Sequence, residues 1–109
     1  MRTLKFKVDG LIIKPDESCN FDDLVPGTES YLKAEFSFSP EWSGCIKTVN
    51  FFSGLGRRYP SQILKDGKTC TIPAEALKKQ VFKVQVVGDK TNFKLVTNKL
   101  IVKQNGGNV

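Results

Sequence analysis

The chain has 109 residues, 39% hydrophobic and 26% charged, with 17 Lys and Arg against 11 Asp and Glu for a formal net charge of +6. That length holds one domain with one modest core, at a composition ordinary for a folded globular protein. No apolar run approaches the ~18–20 residues of a membrane-spanning helix, and the absence of histidine excludes Ser-His-Asp and Cys-His catalytic devices.

Period-two patterning runs through the chain and predicts strands. Leu4, Phe6 and Val8 alternate with Lys5 and Lys7, and a short run, Leu11-Ile12-Ile13, ends at Lys14-Pro15. Residues 15–30 are turn-rich and acidic (Asp16, Glu17, Asp22, Asp23) and read as a long loop pinned by Phe21 and Leu24. Next, Leu32, Ala34, Phe36 and Phe38 face one way, with Tyr31, Lys33, Glu35 and Ser37 facing the other. Pro40-Glu41-Trp42-Ser43-Gly44 breaks the pattern before a strand over 45–53, where Ile46, Thr48 and Asn50 alternate with Val49 and Phe51. A turn at Ser53–Gly56 leads to a strand from Arg58 to Leu64 that carries Pro60, hence an edge strand.

Asp66-Gly67 is a two-residue hairpin signal joining Ile63-Leu64 to Thr69–Ile72. Pro73–Leu77 spells one helical turn with proline at its first position, too short to pack alone. Phe82, Val84 and Val86 mark another strand, and a last one runs from about Phe93 to Val102. Residues 104–109 are polar, with two glycines, and read as a flexible tail after a domain over 1–103. About seven strands and almost no helix predict an all-β protein, a single antiparallel, immunoglobulin-like β-sandwich.

The side chains that could carry chemistry are few. Cys19, Cys45 and Cys70 form no Cys-x-x-Cys pair, so zinc would need a carboxylate or a partner chain. The N-terminus alternates charge and apolar residue rather than spelling a secretory signal. Synthesis and folding in cytosol, with reduced thiols, is therefore expected. The acidic loop matches no calcium-binding spacing, and Gly54-Leu55-Gly56 is no phosphate cradle. We expect no cofactor, no metal and no enzymatic activity. Most lysines alternate with apolar residues (Lys5, Lys7, Lys83, Lys94, Lys99, Lys103), as on the solvated face of a sheet. The clustered exception is Arg57-Arg58 beside Tyr59, which with Gln62 is the candidate partner-binding segment. Interleaved cations and aromatics can bind single-stranded nucleic acid, but most aromatics here fall on the apolar register.

Several of these motifs occur together in a recognisable order. The strand Tyr31–Phe36 precedes Glu41-Trp42-Ser43-Gly44 and Lys47-Thr48. Asp66-Gly67 precedes a Cys-x-Ile-Pro-x-Glu-x-Leu turn at 70–77, then Phe-x-Val-x-Val at 82–86 and a closing strand at Val96–Val102. Over residues 30–103 the chain resembles small immunoglobulin-like proteins of tailed phages and prophages of Gram-positive bacteria, and it is similar to the N-terminal domain of phage baseplate upper proteins. The resemblance implies a non-enzymatic structural or adhesive module of a tail or baseplate, working through protein–protein contacts within the virion. It implies a structural role for Trp42 at the turn before the central strand. Contacts could be made with other phage proteins or with a second copy, for instance by pairing an exposed edge near Arg58–Ile63. The alternative is a phage-encoded anti-defence inhibitor that binds a host effector or its nucleic acid. A sugar-binding module using Tyr31, Trp42 or Tyr59 is a third possibility. Ile72, Pro73 and Leu77 would staple the helical turn to the core, with Glu75 favourably placed near its N-terminus.

Overall fold

Two β-sheets pack face to face in a computed structural model that describes residues 2–19, 32–78 and 80–104. The first sheet has the order β2 (Ile12–Pro15), β1 (Arg2–Asp9), β3 (Leu32–Phe38), β6 (Thr69–Thr71). The second has the order β5 (Gln62–Ile63), β4 (Ile46–Ser53), β7 (Val81–Lys90), β8 (Phe93–Val96), with β9 (Leu100–Lys103) also paired to β7. Among the described residues the single α-helical element, α1 (Ala74–Leu77), precedes β7.

Alternation assigns the inner faces as expected. Leu4, Phe6, Val8, Ala34 and Phe36 from the first sheet meet Val49, Phe51, Phe82, Val84 and Val86 from the second in one continuous core. The intervening Lys5, Lys7, Lys94, Lys99 and Lys103 point to solvent. With β3, β4, β5, β6, β7 and β8–β9 in the places of strands B, C, C′, E, F and G, the strand order is immunoglobulin-like.

The structure corrects the expected strands in four places. There are nine strands among the described residues, because the predicted closing strand breaks at Thr97–Lys99 into β8 and β9. Thr97 keeps the ladder intact across the break. Its amide donates to the Val86 carbonyl at 3.0 Å, and its hydroxyl accepts from the Val86 amide at 2.9 Å. The predicted Arg58–Leu64 strand contracts to an isolated bridge between Arg58 and Phe52 and the two residues of β5, since Pro60 supplies no amide donor in between. The pairing is not wholly antiparallel, because β1 runs parallel to β3 from Arg2↔Leu32 to Val8↔Phe38. Finally, Asp66-Gly67 closes no hairpin. It carries the chain from β5 in one sheet to β6 in the other. The Asp66 carboxylate accepts from the Lys68 and Thr69 amides and the Thr69 hydroxyl, at 2.9, 2.7 and 2.6 Å. Gly67 takes a φ of 76°, which favours glycine.

Trp42 ends a 3₁₀ turn, Pro40–Trp42, between β3 and β4, and is 0% exposed. Its indole lies 5.3 Å from the Phe38 ring, and Phe38, Phe36 and Phe6 continue as a stack at 6.1 and 5.1 Å. The indole N–H donates to the Gly10 carbonyl at 2.8 Å, which satisfies its one polar atom and ties the turn to the β1–β2 connection. Ile72, Pro73 and Leu77 are all buried. Pro73 stands one position before the helix, as its N-cap, and its carbonyl accepts from the Ala76 amide at 3.0 Å.

Gln104, placed in the tail by composition, instead packs into the domain. Its amide donates to the Gln80 carbonyl at 2.7 Å and its side chain to the Leu77 carbonyl at 3.1 Å. The acidic loop from residue 20 onward, with Phe21, Leu24 and Tyr31, and the tail from 105 lie outside the described residues. Cys45 and Cys70 are buried free thiols, and Cys19 is half-buried with its thiol 3.7 Å from the Thr3 carbonyl.

Candidate protein-contact surfaces

The outward register of the five-stranded sheet is unusually apolar for a solvated face. Ile63, Thr48, Val87 and Val96 are successive cross-strand partners and form one row across β5, β4, β7 and β8. Ile63 is 58% and Val96 43% exposed, and Ile46, two residues before Thr48 on the same face of β4, is 65% exposed. Exposed aliphatic side chains arranged as neighbours mark a contact surface more often than scattered ones do.

A polar network borders this row. Asn50, only 5% exposed, accepts at its side-chain oxygen from the Arg58 guanidinium at 2.8 Å and from the Ser61 hydroxyl at 2.7 Å. Its amide nitrogen faces Gln85 at 3.5 Å, and the Gln85 side chain donates to the Thr97 carbonyl at 3.1 Å. Beyond the network, Lys99 covers the Phe52 ring at 4.3 Å, which shields an otherwise outward aromatic.

Arg58 also belongs to a second surface. The loop from Ser53 to Pro60 faces the α1–β7 connection across an open groove of about 950 Å³, whose lining includes Leu55, Arg57, Arg58, Tyr59, Lys78 and Val81. The loop holds its shape through backbone bonds to β4: Ser53 donates to the Arg57 carbonyl at 2.7 Å, and Tyr59 to the Phe51 carbonyl at 2.8 Å. The Arg57 amide adds a bond to the Ser53 hydroxyl at 2.9 Å. Leu55 stands between glycines at the loop tip and is wholly exposed, at 102%.

Three of the four residues expected to bind a partner, Arg57, Arg58 and Tyr59, therefore line one groove. Gln62 sits apart on β5, opposite Val49. The edge there is two residues long, which leaves little ladder for an added strand. Trp42 is sealed inside and unavailable to a sugar, and Tyr59 is half-buried against the core. The aliphatic row escaped the sequence reading, although Ile46, on the outward register of its strand, carried its signal.

Among the described residues no group of three Cys, Asp or Glu side chains could hold a metal ion, and no helix is long and apolar enough to cross a membrane. No family model, curated protein or solved structure matches the chain.

Proposed function

We propose that the chain is a structural or adhesive module of a tailed phage or prophage particle, acting through protein–protein contacts on the outer face of its five-stranded sheet. The observation that carries this reading is the row Ile63–Thr48–Val87–Val96 with Ile46 beside it. Burying such a row against a partner releases water from contiguous apolar surface at about 25 cal/mol per Å². The motif order around Trp42 and the 70–77 turn supports the phage context.

A second reading, an inhibitor of a host defence effector, is favoured by the cations Arg57, Arg58 and Lys78 around the groove. Mass spectrometry of purified particles from the source phage or an induced prophage separates the two. Stoichiometric copy number in the particle supports the structural module. Abundance in infected cells together with absence from particles overturns it in favour of the inhibitor.

A further inference from the structure

We propose that the groove between the Ser53–Pro60 loop and the α1–β7 connection binds an acidic peptide segment of a partner protein. An apolar side chain of that segment packs against Leu55, Tyr59 and Val81, and its carboxylates face Arg57, Arg58 and Lys78. This site is separate from the apolar row of the sheet face and does not depend on which particle or effector the partner belongs to.

Three observations support it. The groove, about 950 Å³ in volume, lies at the upper end of the roughly 300–1,000 Å³ of ligand sites. It suits several peptide residues better than one small ion. Its charge is complementary to an acid, because among the described residues three cations line it against the one carboxylate of Glu75. Arg58 is also held before any partner arrives: its Nη2 donates to Asn50 at 2.8 Å and to Ser61 at 3.3 Å. An arginine so fixed loses less conformational freedom on binding than a free one.

The same residues disfavour other occupants. A nucleic-acid strand asks for an unbroken line of cations with open aromatic faces for its bases. Here Glu75 shares the lining with the cations, Tyr59 is half-buried, and the fully exposed apolar group is an aliphatic leucine. A second copy of this chain brings a net charge of +6 toward a basic groove, which like-charge repulsion opposes.

The test is an NMR titration of the ¹⁵N-labelled full chain with three probes: a capped heptapeptide of alternating glutamate and leucine, its lysine–leucine counterpart, and a short oligothymidylate. The glutamate peptide is expected to give saturable shifts at Arg57–Tyr59, Lys78, Gln80 and Val81, weakening with added salt. Arg57→Glu and Leu55→Ser are expected to weaken it by roughly tenfold each. Both positions are exposed, so their spectra should match the parent elsewhere and report binding alone. Equal binding of the lysine peptide overturns the proposal. So do stronger shifts of the same amides by oligothymidylate, or concentration-dependent shifts there in the protein alone. Shifts confined to Ile46, Ile63 and Val96 overturn it as well, while leaving the sheet-face reading in place.

Discussion

Trp42 and Gly88 touch so closely that position 88 has no room for a side chain. A Cβ on residue 88 would lie 2.7 Å from Cζ3 of the indole and 3.2 Å from Cβ of Cys45. The glycine sits on β7, on the inward register where Val84 and Val86 fill the core, and the tryptophan occupies the space its missing side chain leaves. Gly88→Ala is expected to destabilise by about 1–3 kcal/mol through overpacking. Trp42→Ala should cost roughly 3–5 kcal/mol through the cavity it opens. Urea denaturation of both variants checks the pair. An unchanged midpoint in either one contradicts the interlock.

The clamp between Asn98 and Ile13 makes a second prediction. The Asn98 side chain accepts from the Ile13 amide at 2.8 Å and donates to its carbonyl at 3.5 Å, and the Asn98 backbone amide donates to the Leu11 carbonyl at 3.2 Å. A side-chain amide here stands in for a strand on the open edge of β2. Asn98→Ala strands the Ile13 amide beside a buried side chain and should cost about 1–3 kcal/mol. Asn98→Asp keeps the acceptor and should cost less. Thermal melts of the two, ranked in that order, carry the assignment.

Asp66 ties the crossover between sheets to acid stability. Hydrogen bonds from Thr69, side chain and amide, and from the Lys68 amide hold its carboxyl far below the ordinary aspartate value. A carboxyl depressed in the folded state contributes stability that is present above its unfolded pKa, near 4. That contribution is lost as pH falls from there through the folded value. Asp66→Asn should therefore lower stability at neutral pH and flatten the decline of stability below about pH 4. Denaturant midpoints measured from neutral pH downward test this. A variant whose acid decline parallels the parent's rules it out.

Burial pushes the Cys70 thiol up to about 12, with the Asp66 charge adding to the effect. The thiolate is the reactive form, so at about pH 8 Cys70 should be the slowest of the three thiols to react with an aromatic disulfide reagent. In denaturant all three should react together. Mapping the modified positions by mass spectrometry decides it. Fast labelling of Cys70 in the native protein would show that the β3–β6 edge opens readily.

Much of the core was legible because alternation is a local property. Leu4, Phe6, Val8, Phe36, Val84 and Val86 point inward for the reason the pattern states, and Trp42 lies buried as the turn before β4 suggested. Partner choice between strands was not legible. The same period-two signal suits a parallel or an antiparallel neighbour, so nothing in Arg2–Asp9 announced β3 beside it. Asp66-Gly67 has one local geometry whether the next strand returns to the same sheet or crosses to the other. The segment after Arg58 looked like a strand by composition, yet Pro60 and the Arg58–Asn50 bond turned it into a groove wall. The candidate contact surfaces were half visible: the cations of the groove stood out as a cluster, whereas the aliphatic row emerged only once register set Ile63 beside Thr48 and Val96 beside Val87.

The parallel pair also constrains the order of folding. Each partner in it stands thirty positions from the other, from 2 and 32 to 8 and 38, while β1 and β2 meet through the short turn at Gly10-Leu11. Contacts close in sequence form first, and distant ones wait for loop closure. The N-terminal hairpin thus makes its own contacts locally, whereas its docking on β3 closes a loop comparable to the β4–β7 ladder, whose partners run from Ser53↔Phe82 to Ile46↔Asp89.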